Sequence, residues 1–339
     1  MEMAAENADH GSMVSGSKSV PLRIRVLCWL VKNAGAVTRR NDGTVNRRLA
    51  NLIDRKVSAD QTPRHGVYTK DIVIDKTTGV RVRLFVPDNG AHGDFPVVVY
   101  FHGGAFCALS GADVAYDTFC RKLAGRLTVA VVSVDYRLAP EHKCPAAYDD
   151  CFVALAWLRA QGRDCLPPSA DLSRCFLMGD SAGGNIVHHV GCRVAREADM
   201  SPIKIAGHVL MQPYFGGEER TPAEVRLSNG VPLITVEAAD WYWRAFLPEG
   251  ATRDHPAANV TSTDISELSL PPSLVVVGGL DLLQDWQLRY AEHLKKMGKQ
   301  AEILFYEDAI HAFHVFPGYD LTPRFLRDLA HFLQVRADL

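Results

Sequence analysis

Residues 179–183 read Gly-Asp-Ser-Ala-Gly, directly after the apolar run Arg174–Met178, and Gly184 and Asn185 follow. This is G-x-S-x-G spacing. Small neighbours let the chain turn sharply from strand to helix and leave the Ser181 hydroxyl exposed at the turn. A serine hydroxyl is a weak nucleophile until a base takes its proton. A working site therefore also needs an imidazole, a carboxylate to fix its tautomer, and donors for a developing oxyanion.

Other strand-like runs end in such groups. His102-Gly103-Gly104-Ala105-Phe106 follows residues 96–101, Asp281 follows 273–279, and His311 follows 301–306. His311 is read as the base, with His314 as its rival. Asp281 is read as the orienting carboxylate, with Asp285 and Asp308 as rivals. The backbone amides of Gly103, Gly104 and Ala182 are assigned to the oxyanion hole. The order serine, aspartate, histidine is that of α/β-hydrolases.

The elements that must position these groups are legible from periodicity. Six short apolar runs (96–101, 129–134, 174–178, 205–211, 273–279 and 301–306) lack polar alternation, which predicts strands buried on both faces of a mainly parallel α/β sheet. Helices are expected at 148–161, 182–197 and 285–297, and two amphipathic ones at 22–36 and 44–54. Alternation at 71–75 and 80–86 predicts an antiparallel pair at a sheet edge. Residues 1–18 are polar and aperiodic and read as disordered. The aromatic, charged stretch 214–260 reads as an insertion over the sheet.

Composition removes other classes. Of 339 residues, 47% are hydrophobic and 22% charged, and the formal net charge is -2. That leaves no net basic field for nucleic acid or anionic lipid. The eight cysteines are scattered without C-x-x-C or metal spacing and read as free thiols. H-E-x-x-H and G-x-G-x-x-G are absent, so no metal or cofactor is called for. The N-terminus carries no signal pattern and the apolar stretch 20–37 is broken by Arg23, Arg25 and Lys32, so a cytoplasmic or nuclear protein is expected.

HGGAF at 102–106, DYRLAPEH at 135–142, GDSAGGN at 179–185 and LDLLQDWQ at 280–287 resemble the hormone-sensitive-lipase branch of the α/β-hydrolases. Within it the chain resembles plant carboxylesterases related to the gibberellin receptors, from about Val20 onward. The resemblance implies an eight-stranded, mostly parallel sheet flanked by helices, with Ser181, Asp281 and His311 as triad. It also implies a lid formed by N-terminal helices (19–60) over a core spanning 61–339, and a supporting role for residues 136–142.

Residues 39–47, 216–221, 241–243 and 253–257 echo the receptors. Three features depart from them: a histidine at 311, Phe313 where a ligand-contacting tyrosine is expected, and Arg23-Ile24-Arg25 in place of a tryptophan-bearing lid segment. These favour an enzyme. Phe106, Ser110, Tyr116, Trp241, Tyr242 and Phe313 are the pocket candidates. The expected activity is hydrolysis of small to medium carboxylic esters. A hormone receptor that recruits a protein at its lid, and a dehydratase on the same scaffold, are the alternatives.

Overall fold

The computed structural model describes residues 20–88, 94–228 and 233–337, so the expectation for 1–18 lies outside the described residues. Helices α1 (Leu22–Thr38) and α2 (Arg47–Ile53) come first, then β1 (Val67–Val73) and β2 (Arg81–Pro87). Strands and helices then alternate: β3 (Phe95–Phe101), α3 (Val114–Leu127), β4 (Ala130–Asp135), α4 (Ala146–Cys165), β5 (Ala170–Asp180), α5 (Ala182–Val194) and β6 (Ile205–Met211). Short helices α6 (Pro222–Leu227) and α7 (Val236–Phe246) precede β7 (Ser273–Leu280), α8 (Gln284–Lys296), β8 (Ala301–Ile310) and α9 (Leu321–Ala337).

The strands form one eight-stranded sheet in the order β1-β2-β4-β3-β5-β6-β7-β8. β1 and β2 pair antiparallel at one edge, β2 meets β4 antiparallel, and every later pairing is parallel. The unbroken apolar runs follow from this, because successive side chains enter opposite cores. Val97, Val99, Leu177 and Val275 pack with α4, α5 and α8 on one face. Val98, Phe176, Met178 and Val276 pack with α3, α9 and Ile24 of α1 on the other.

Two boundaries differ from expectation in ways that matter for the site. β8 continues to Ile310, which pairs with Leu280, so His311 follows the strand end directly. Its last residues escaped detection because Glu307 is exposed and interrupts the apolar run. Helix α2 begins at Arg47 rather than Thr44, because Asn46 is the cap and accepts the Leu49 amide at 3.2 Å. Thr44 instead donates its hydroxyl to Asp42 in the preceding turn.

Candidate active site

Ser181 stands between β5 and α5 with φ 52° and ψ -118°, a left-handed conformation that a non-glycine residue holds only when its surroundings fix it. Its amide donates to the Met211 carbonyl, and its carbonyl accepts from Tyr214 and Asn185. Small residues permit the turn: a β-carbon on Gly183 would overlap the Phe101 carbonyl oxygen. The same contact brings the start of α5 against the loop that follows β3.

The histidine and aspartate come from adjacent strand ends. Ser181 Oγ lies 2.9 Å from His311 Nε2, and His311 Nδ1 lies 2.7 Å from Asp281 Oδ2. All three are buried. Asp281 also accepts from the Leu283 amide and from Gln287 Nε2. A carboxylate that only accepts needs a proton on Nδ1, which leaves Nε2 free to accept from the serine hydroxyl. Burial pushes the His311 pKa down, but the Asp281 charge, its hydrogen bond and the Asp180 charge together hold it above the ordinary histidine value.

The rivals are placed away from the Ser181 hydroxyl. Asp285 accepts the Ala223 amide of α6. Asp308 lies within β8, where its carbonyl accepts from the Tyr319 hydroxyl. His314 is buried against Phe119, with Nε2 3.7 Å from Asp180.

The oxyanion assignment needs one correction. The Gly103 amide is not available, because it donates to Asp180 Oδ1 at 3.0 Å and to the Tyr116 hydroxyl at 2.8 Å. Gly104 carries φ +108°, and a β-carbon there would overlap the Ala108 carbonyl, so only glycine fits. Among the described residues, no backbone acceptor is recorded for the amides of Gly104, Ala105 or Ala182. Ala105, at φ 51°, carries the next amide of this loop without such an acceptor and takes the place of Gly103 as the candidate donor. The loop is fastened from behind by Tyr136, whose hydroxyl donates to the His102 carbonyl and whose ring stacks on the His102 imidazole.

Several pocket candidates are core. Phe106 is 0% exposed and stacks on Phe246, with Tyr214 and Trp243 around it. Phe313 is also 0% exposed and lies on the opposite face among Tyr306, Tyr319 and Phe325. Both rings are sealed inside packed cores, so neither lines an open pocket. Ser110 is buried and donates to Asp113, and Tyr116 is committed to Asp180. Trp241 and Tyr242 remain partly exposed on α7, where the Arg39 guanidinium lies over both rings.

Composition hid two positioning residues. Gln287 fixes Asp281 from the first turn of α8, donating to Oδ2 at 2.9 Å. Gln212 donates to the Ile310 carbonyl at 3.0 Å, immediately before His311. Both are long amides in apolar surroundings, and a buried amide next to a strand end is the signal that marks them.

A family profile described as alpha/beta hydrolase fold matches residues 98–315. The chain belongs to the α/β-hydrolase family. Among its relatives, the gibberellin receptor GID1C of Arabidopsis thaliana is 42% identical, covering 95% of this chain and 96% of the receptor. Probable carboxylesterase 6 of the same plant is 37% identical, covering 83% of each. The carboxylesterase EstE1, cloned from a metagenomic library, superposes with a TM-score of 0.72 at 26% identity, covering 92% of this chain and 97% of that one. This α/β-hydrolase is thus similar both to carboxylesterases and to gibberellin receptors.

Proposed function

We propose that this α/β-hydrolase is a serine carboxylesterase acting on small to medium esters. The observation that carries the reading is the continuous path of hydrogen bonds from Ser181 through His311 to Asp281. His311 Nε2 takes the serine proton as Oγ attacks the ester carbonyl, and Asp281 stabilises the imidazolium that forms. The amides of Gly104, Ala105 and Ala182 receive the negative oxygen of the tetrahedral intermediate. Each such donor contributes about 2.7–4 kcal/mol to the barrier reduction. The alcohol leaves with the proton from His311. Water, deprotonated by the same nitrogen, then releases the acid and restores Ser181.

The N-terminal helices serve as a lid in this reading. They are tied to three separate regions. Arg23 donates to the Gly318 carbonyl, the Arg40 carbonyl accepts from Trp241, and Arg47 reaches the carbonyls of Cys107 and Ala139.

Hydrolysis of short p-nitrophenyl esters by the wild type, Ser181→Ala and His311→Ala, each verified as folded, tests the assignment. Turnover lost in both variants supports it, and undiminished turnover in Ser181→Ala defeats it. The second reading, a receptor that binds a small acid without turnover, rests on the 42% identity to a gibberellin receptor across nearly the whole chain. Tight binding of an intact gibberellin-like acid, with no ester hydrolysed, would favour it.

A further inference from the structure

Asp180, the residue before the nucleophile, is a carboxylate sealed from water with 1% exposure. A buried charge is costly unless it is fully paired and hydrogen-bonded, and an apolar side chain would generally serve stability as well. Its partners are specific. Tyr100 donates to Oδ1 at 2.7 Å, Tyr116 to Oδ2 at 2.9 Å, and the Gly103 amide to Oδ1 at 3.0 Å. The Tyr116 hydroxyl also accepts from that amide. The carboxylate and the hydroxyl therefore grip one peptide of the loop whose next two amides have no backbone acceptor. A β-carbon on Gly103 would press into Asp180 Oδ2 and the Tyr116 hydroxyl oxygen, so only glycine lets both side chains close on this peptide.

We propose that Asp180 is a positioning residue for ester hydrolysis, holding the Gly103 amide together with Tyr116 so that the Gly104 and Ala105 amides point at the oxyanion. This rests on the esterase reading above. The carboxylate has a second effect through space, because its charge helps raise the His311 pKa against burial. The groups facing Asp180 are Tyr100 from β3, Tyr116 and Cys120 from α3, Tyr136 beyond β4, and His311 and His314 beyond β8. Those facing His311 are Ser181, Asp281, Asp180 and His314.

The test uses the full chain with Asp180→Asn and Tyr116→Phe, following ester turnover, the acid limb of kcat/KM, and hydrogen exchange over residues 102–106. Loop misplacement predicts that Asp180→Asn lowers kcat about 10²-fold, with KM within about twofold. It also predicts faster exchange at 102–106 and an acid limb moved to lower pH, because a charge that raises His311 is gone. Tyr116→Phe keeps the carboxylate, so it lowers kcat and speeds loop exchange while leaving the acid limb in place.

An Asp180→Asn enzyme with wild-type kcat, or one with unchanged exchange and acid limb, overturns the proposal. Should Asp180→Asn fail to fold, unaltered loop exchange in Tyr116→Phe overturns it. If the wild type hydrolyses no ester, the esterase reading fails. The exchange comparison then still decides whether the tether exists.

Discussion

The Nδ1 atom of His311 lies 2.7 Å from Oδ2 of Asp281, and the two residues directly follow neighbouring parallel strands, β8 and β7. The pair is set by sheet register rather than by a mobile loop. The Leu280–Ile310 pairing places each functional residue one position beyond a paired one. Asp281→Asn should keep this geometry but favour the wrong imidazole tautomer. The expected result is a fall in kcat of about 10⁴-fold with the fold retained, read by steady-state kinetics and circular dichroism.

The base must be neutral to act, so activity should fail on the acid side. Asp281 and Asp180 hold the His311 pKa above the ordinary histidine value, so half-maximal kcat/KM on the acid limb is expected above pH 6.5. Removing the Asp281 charge should move that limb to lower pH in whatever activity remains. A pH profile of both proteins reads the shift, and an unmoved limb would show that another group titrates.

Acid should also unfold the protein, through different histidines. Burial pushes the pKa of His189 and His208 down to about 4 and that of His314 to about 3, and drives His188 well below its usual value. Below about pH 6.5 the unfolded chain takes up protons that these folded rings refuse, so stability falls as pH drops towards 4. Asp180, raised to about 6, and Asp113, raised to about 7, work the other way, because the folded chain binds their protons more readily. Burial also lowers the pKa of His102 and His293 and raises that of Asp54, so six histidines stand against three carboxylates and the urea midpoint should decline between pH 6.5 and 4. A flat midpoint would contradict this balance.

Gly183→Ala should be far more damaging than its size implies. The added carbon meets the backbone oxygen of Phe101, which cannot retreat without moving β3. A loss of about 3 kcal/mol, the upper end of the usual overpacking range, is expected. Gly298→Ala has open space but φ +73°, and should cost only about 1–2 kcal/mol. Thermal melts of the two variants give the comparison.

Arg47 joins α2 to the core through four acceptors: both Glu141 oxygens and the carbonyls of Cys107 and Ala139. Only the planar guanidinium matches that set, so Arg47→Lys should loosen the segment almost as much as Arg47→Ala. Limited proteolysis within residues 20–56 should be faster in both variants. The ion pair is partly exposed and by itself contributes about 0.2–1 kcal/mol, so salt alone should change the rate little.

Much of this architecture was legible because the chemistry sits at strand ends and the strands are uninterrupted apolar runs. Ser181, Asp281 and His311 stand out as polar residues at the ends of such runs, and the fold class follows from the same pattern. Gly103 shows the limit. Its glycine-rich context marks a loop, but the direction of one amide depends on Asp180 and Tyr116, residues 77 and 13 positions away. Phe106 and Phe313 show another limit. An aromatic near a functional loop reads the same in sequence whether it lines a pocket or fills a core. Here the two enter cores on opposite faces of one sheet.

Arg23 of α1 donates to the carbonyl of Gly318, 295 positions later. On the ribosome, at about 5–20 residues per second, about 15–60 s separate the synthesis of these two partners. Through that interval Ile24 and Cys28, buried in the finished fold beside Phe316 and Tyr319, have no completed surface to pack against. Helix α1 is thus made long before it can be seated. A nascent chain halted before residue 316 should leave this helix open to protease or chaperone, whatever the state of the sheet behind it.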